Sequence, residues 1–235
     1  LNALLITGTD TDAGKTVVMS AIAAYWQTYW STQRLGILKP IQSGTGDCEL
    51  YSQLFGLDPA EITPLKFQAP LAPPIAAERE GRAVSLEVAW QAFEQLRRNR
   101  EFVLVEGLGG LGSPITYETT VADLAWDWRL PTVLVVPVKL GAIGQAVANA
   151  ALARQSRIHL KGIILNCAQA EAEQAIADFA PIAAIESLTN VPVLGVFPHV
   201  SNLLDIAQLT EAASQLNLER LFPGNLWMFS EPVAG

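Results

Sequence analysis

Gly8-Thr9-Asp10-Thr11-Asp12-Ala13-Gly14-Lys15-Thr16 stands between an apolar run, Ala3–Thr7, and a helix-length segment, Lys15–Trp30. A loop that leaves a buried strand and opens a helix turns its amides and the helix N-terminus toward one point. That arrangement cradles a phosphate chain. Lys15 is then placed to reach the outer phosphates and the Thr16 hydroxyl to bind Mg²⁺, while Gly14 lets the backbone approach closely. The loop is a variant, because Thr9 occupies the position of the usual first glycine and Gly8 comes one residue earlier. Asp12, Ala13, Gly14, Lys15, Thr16 and Val17 are the expected nucleotide contacts, and Thr11 is an expected substrate contact.

Working outward, strand-length apolar runs alternate with helix-length segments. The pattern predicts strands at Ala3–Thr7, Gly36–Lys39, Phe102–Glu106, Thr132–Pro137, Gly162–Asn166 and Val193–Phe197. It predicts helices at Lys15–Trp30, Leu86–Arg100, Val121–Trp128, Ile143–Arg157, Glu171–Leu188 (broken at Pro181) and Leu204–Leu216. Ser85 is the expected cap of the Leu86 helix, and Thr120 or Thr119 that of the next. Alternation of this kind builds parallel βαβ units. The expected fold is therefore a single α/β domain over residues 1–235, resembling P-loop NTPases, with a mostly parallel sheet, helices on both faces and a C-terminal tail over 217–235. Pro64–Pro74 reads as an irregular excursion, a class of segment that often carries function. Pro223–Gly235, with Trp227, Met228 and Phe229, reads as a tail that either packs on a neighbour or hangs loose.

Composition agrees with a doubly covered sheet. Half of the 235 residues are hydrophobic and only 16% charged, as suits central strands that are apolar on both faces. Fifteen basic against 23 acidic residues give a net charge of −8, which disfavours nucleic acid and anionic lipid as partners. Small anionic molecules met by a local cluster of cations are the expected ligands. Cys48 and Cys167 are the only cysteines, too far apart and too few for a disulfide framework or a zinc site. A cytoplasmic location is expected. The opening run lacks the charge pattern of a signal peptide, and no apolar stretch is long enough to span a membrane.

Several strand ends carry chemistry. Lys39, in Gly-Ile-Leu-Lys-Pro-Ile-Gln-Ser-Gly (36–44), lies where ligands of open α/β sheets bind and could neutralise charge on a phosphoryl group or a carboxylated substrate. Ser43 offers a hydroxyl beside it. Glu106, in Val-Glu-Gly-Leu-Gly-Gly (105–110), leaves the sheet at the same edge and could hold Mg²⁺ directly or through water. Gly107, Leu108, Gly109 and Gly110 follow it, and let the backbone pass close to a γ-phosphate or substrate. Asp47 and Glu49 are both candidates for a second metal acid, and both are also explained as acids at a helix start. Lys139 and Gly141, in Val-Lys-Leu-Gly (138–141), precede a helix whose amides could face an anion. Asn166 could read a base edge or simply turn the chain, with Cys167 beside it. Phe197, Pro198 and His199 could line the base pocket, and His199 is given no catalytic role.

With these residues in place, the chain resembles the dethiobiotin synthetase family of the biotin pathway over about residues 3–205. The resemblance rests on the motifs at 8–16, 39–44, 105–110 and 138–141, whose order and spacing are together specific. It implies closure of a ureido ring from 7,8-diaminononanoate, CO₂ and ATP, through a carbamate and a carbamic–phosphoric anhydride, with Mg²⁺ required. It also implies Thr16, Asp47 and Glu106 as Mg²⁺ ligands, Lys39 and Lys15 as catalytic lysines and Ser43 as a substrate contact. Asn166 would read adenine, and a homodimer would bring a second subunit to the diamine site. The chain departs from the family pattern at Gly144-Gln145, where an asparagine-bearing helix start is usual, at Pro73-Pro74 and at Cys167. Related partitioning ATPases place a lysine near the start of the phosphate loop, where this chain has Thr9-Asp10-Thr11. A catalytically silent ligand-binding module is the other reading, opposed by Lys15, Thr16, Lys39 and Glu106.

Overall fold

β1 (Ala3–Gly8) is buried along its whole length and occupies the interior of a six-stranded parallel sheet. In this computed structural model, which describes residues 2–30 and 34–222, the remaining elements follow in chain order. They are α1 (Lys15–Tyr29), β2 (Leu35–Leu38), β3 (Ile41–Ser43), α2 (Asp47–Phe55), α3 (Pro59–Ile62), β4 (Leu65–Phe67), α4 (Pro73–Arg79), α5 (Leu86–Asn99) and β5 (Phe102–Gly110). Next come α6 (Val121–Asp127), β6 (Thr132–Pro137), α7 (Ala142–Gln155) and β7 (Leu160–Asn166). After a 3-10 turn at Ala170–Glu173 the chain continues with α8 (Ile176–Phe179), α9 (Ile182–Thr189), β8 (Val193–Phe197), α10 (Ile206–Ser214) and α11 (Leu218–Leu221).

The large sheet runs β2-β5-β1-β6-β7-β8. The chain leaves β1 for β2 at one edge and later crosses back to β6 on its other side. The loop after β1 therefore opens between the C-terminal ends of β5 and β6, where strand order reverses and open α/β sheets bind their ligands. Register aligns Ile6 with Glu106 and Gly8 with Gly110, across an irregularity between Ile6 and Gly8. This brings the phosphate-loop start and the β5 glycines side by side.

Side chains alternate across the sheet, as a strand requires. Leu4 and Ile6 enter a core with Val18, Met19, Ile22 and Trp26 of α1 and Leu209 of α10. Ala3 and Leu5 face the opposite core, with Phe93 of α5 and Val121 and Leu124 of α6. A third cluster places Leu134 and Val136 of β6 and Ile163 and Leu165 of β7 against α7 and Ile185 of α9. Phe93 is fully buried, with its ring stacked on Trp128 at a centroid distance of 4.9 Å. Phe93→Ala is therefore expected to cost about 3–5 kcal/mol through lost burial and an unfilled cavity. Urea denaturation measures it, and a loss below about 1 kcal/mol would mean that this core collapses to fill the space.

The six predicted strands form the large sheet, and the Ser85 and Thr120 hydroxyls accept hydrogen bonds as N-caps from Val88 and Asp123 amides. Two expectations change. The Pro64–Pro74 excursion is not wholly irregular, because Leu65–Phe67 pairs in parallel with Ile41–Ser43, and Pro73 begins α4 as a proline in a first helical turn can. The Glu171–Leu188 segment is three short pieces, with Pro181 standing as the N-cap of the last. Among the described residues no helix is long and apolar enough to cross a membrane. The expected tail segment Pro223–Gly235 lies outside the described residues.

Candidate active site

Gly14 fixes the shape of the phosphate loop. It has φ +88°, and a Cβ built there would lie 2.0 Å from Asn166 Nδ2. Asn166 stands at the end of β7 and donates from Nδ2 to the Ala13 carbonyl at 2.9 Å, tying that strand to the loop. Gly14→Ala thus meets both a left-handed backbone, costing about 1–2 kcal/mol in itself, and a collision with the amide that holds the loop. We expect lost ATP binding together with a lower melting temperature. A thermal melt with and without ATP tests this, and retained ATP-dependent stabilisation would contradict it.

Lys15 begins α1 and is buried. Its ammonium donates back to the Asp10 carbonyl at 3.0 Å and the Thr11 carbonyl at 2.8 Å. Burial lowers its pKa, the attraction of Glu106 only partly offsets this, and neighbouring Lys39 lowers it further. Thr16, one residue on, has its hydroxyl 2.9 Å from Asp47 Oδ1 and 3.0 Å from Glu106 Oε1, so its one proton can be donated to either carboxylate. Two carboxylates from distant stretches of chain therefore meet at the hydroxyl of α1.

Lys39 lies one residue beyond β2 and is 3% exposed. Its ammonium donates to Asp47 Oδ2 and, at 2.7 Å, to Glu106 Oε1. Burial alone would depress it, but the Glu106 and Asp47 carboxylates outweigh that effect and hold its pKa above the ordinary lysine value. Asp47 shows the counterpart: burial would raise its pKa, yet Lys39 and the Thr16 hydroxyl hold it low. Two lysines, two carboxylates and a hydroxyl make one compact charge cluster, in which Lys15, Lys39 and Glu106 are buried while Asp47 and Thr16 are partly open to the cleft.

The start of α2 is fixed from below. Gln42 Oε1 accepts from the Cys48 amide at 2.9 Å, and Glu49 reaches back to the Gly46 amide at 2.8 Å. Lys66 of β4 and Gln42 Nε2 also hold the Glu49 carboxylate. Burial raises the Glu49 pKa, but Lys66 and the Gly46 amide prevail and hold it at about 2. Glu49 is thus spent on the helix start while Asp47 faces Thr16 and Lys39. The geometry separates two acids that the sequence leaves equivalent.

Lys15, Thr16, Lys39, Asp47 and Glu106 border a cleft of about 610 Å³ that also takes in Thr11, Asp12, Ser43, Leu108 and Gly109. Ser43 Oγ is buried and has no hydrogen-bond partner among the described atoms. Sequence reasoning missed the contributions of Gln42, Thr45 and Ser113 to the walls. It flagged, without assigning, the proline-rich excursion that brings Pro70, Leu71, Ala72 and Pro73 to the rim.

Other candidates stand apart from this cleft. Gly107 faces Val121 of α6, because the strand alternation that turns Glu106 one way turns its neighbour the other. Gly110 packs against the Thr9 and Gly8 carbonyls, and Val17 against the α1 core. Cys167 and Phe197 are each 1% exposed and joined by a Cys167 N–H bond to the Phe197 carbonyl at 2.9 Å. Their side chains belong to the core. Pro198 and His199 border a separate cavity of about 520 Å³ with Glu173 and Gln208, and His199 Nδ1 lies 3.1 Å from the Ala168 carbonyl. Lys139 pairs with Asp10 at 3.9 Å, and Gly141 caps α7 in a left-handed conformation. Lys139 thus reaches the phosphate loop from outside the cleft.

A family model described as an AAA domain matches residues 2–207. The MinD cell division protein of Aquifex aeolicus has the same fold, with TM-score 0.60 at 14% identity over 100% of both chains. Loop, sheet order and charge cluster together define an α/β protein of the P-loop NTPase class. Within that class, the ATP-dependent dethiobiotin synthetase of Gloeothece citriformis is 58% identical over 223 residues, covering 94% of this chain and 99% of its own. The one from Crocosphaera subtropica is 55% identical, covering 94% of this chain and 100% of its own. The chain belongs to the dethiobiotin synthetase family of ATP-dependent ligases.

Proposed function

We propose that this chain closes the ureido ring of dethiobiotin from 7,8-diaminononanoate, CO₂ and ATP, releasing ADP and phosphate. The observation that carries the reading is Lys39, buried between Glu106 and Asp47 in the cleft that Lys15 and Thr16 border. One amine of the substrate adds to CO₂ and, on losing a proton, becomes a carbamate anion. Its oxygen attacks the γ-phosphorus of ATP, the bond to the ADP oxygen breaks, and a carbamic–phosphoric anhydride forms. The second amine attacks the carbamoyl carbon, phosphate leaves with its bonding pair, and the ring is closed. Two anions must approach for the phosphoryl step, so the site needs cations fixed in place beforehand. Lys15 would exchange the Asp10 and Thr11 carbonyls for phosphate oxygens, and Lys39 would bridge the carbamate and the transferring phosphoryl group. Neither residue forms a covalent bond to substrate.

Thr16, Asp47 and Glu106 would hold Mg²⁺. Among the described residues no group of three His, Cys, Asp or Glu side chains is placed to hold a metal unaided. A hydroxyl and two carboxylates still suit a hard cation that takes its other ligands from phosphates and water. When bound, the ion neutralises charge on the β- and γ-phosphates. We place adenine beyond Asn166, whose Nδ2 already bonds Ala13, and the diamine near Ser43 and Thr11, and we assign a homodimer from the family. The unoccupied hydrogen-bonding capacity of Ser43 supports the diamine end. Phosphate release tests the reading: it should require diamine and bicarbonate together. Equal release without the diamine would contradict it.

A further inference from the structure

We infer that Tyr51 is a positioning residue that fixes the Glu106 carboxylate for the cation. The inference rests on the Mg²⁺ reading above. Tyr51 lies four residues after Asp47, so the two share one face of α2, a turn apart. Its ring is fully buried in the core beside α1, and its hydroxyl donates to Glu106 Oε2. Glu106 Oε1 accepts instead from Thr16 and Lys39. The two oxygens of one carboxylate are thereby divided, one held from behind by Tyr51 and the other presented to the cleft. A single helix supplies both Asp47, on the cleft side, and the hydroxyl that orients the opposing acid. The phosphate-loop motif gives no hint of this residue, and in the sequence Tyr51 reads only as an apolar position of a helix.

A carboxylate whose Oε2 is held by Tyr51 keeps its rotamer when a cation takes up Oε1. Groups that orient metal ligands in this way typically contribute 10–100-fold in metal affinity. Tyr51→Phe removes the hydroxyl and keeps the ring, so the core stays filled. The test is Mn²⁺ titration, followed by the paramagnetic signal of the free ion, on the full chain saturated with the β,γ-imido analogue of ATP. Tyr51→Phe should weaken Mn²⁺ binding about 10-fold, with analogue affinity in excess chelator and the melting temperature close to those of the unaltered protein. Glu106→Gln serves as reference and should weaken Mn²⁺ binding at least as much. Unchanged Mn²⁺ affinity in Tyr51→Phe, with weakened affinity in Glu106→Gln, overturns the role of Tyr51 and leaves the cation reading standing. Unchanged affinity in both overturns the cation reading and the inference with it. An equal loss of analogue affinity in chelator would make Tyr51 a packing residue, which also overturns the inference.

Discussion

Lys39→Ala is expected to reduce ring closure by about 10³-fold while ATP still binds. The lysine is buried between two carboxylates that draw its ammonium to one position, which in the proposed mechanism pre-places its charge for the phosphoryl step. A pre-placed charge matters most where charge moves between reactants, which is a transition-state effect and appears in turnover rather than in binding. ATP affinity should stay within about 5-fold, since the phosphate loop and Lys15 remain and a divalent cation can occupy the space between Asp47 and Glu106. Lys39→Met keeps most of the side-chain volume without the charge and should lose as much turnover. Steady-state product formation and an ATP titration separate the two quantities. Unchanged turnover in either variant would remove Lys39 from the chemistry.

Lys15→Ala should act on the other quantity. Its ammonium is held by the Asp10 and Thr11 carbonyls and is ready to turn to phosphate oxygens, as two charge-assisted hydrogen bonds. At about 1.5 kcal/mol each, their loss predicts roughly 100-fold weaker ATP binding. Burial lowers the Lys15 pKa, and phosphate oxygens beside it oppose that shift, so a bound phosphate chain stabilises the ammonium. Isothermal titration with ATP measures the effect. An affinity within a factor of three of the unaltered protein would show that the loop amides alone hold the nucleotide.

Much of the architecture was legible because two periodicities speak clearly. The six long strands are nearly continuous apolar runs, and the helices between them have room for several turns. The short pieces were not legible, since Ile41–Ser43 and Leu65–Phe67 carry three residues each and find one another only through tertiary pairing. Proline content made 64–74 look like a loop, whereas two of those prolines begin a helix in the first-turn positions where proline is tolerated.

At the site, motif spacing brought Lys15 and Thr16 to attention because they open a helix after a strand, and Glu106 because it closes an apolar run, although β5 continues past it to Gly110. Asp47 and Glu49 could not be told apart from sequence. Their roles divide on a contact with Lys66, which lies 17 residues after Glu49 and joins it through the small parallel pair. Tyr51 carries no sequence signal at all, because a buried tyrosine looks like core until its hydroxyl is seen against a carboxylate. For Cys167 and Phe197, strand position alone gave no sign that the side chains are buried. They follow or end strands at the correct edge, but the β7–β8 contact turns their side chains inward.

In the proposed reaction, the cations of one sheet edge join carbon from CO₂ to a diamine by way of ATP. Mass spectrometry of the product formed from ATP, the diamine and carbon-labelled bicarbonate tests this most directly. The expected product is a dethiobiotin whose ureido carbonyl carries the label, formed with one ADP per ring. A product lacking the labelled carbon, or ADP formed with no ring, would contradict it.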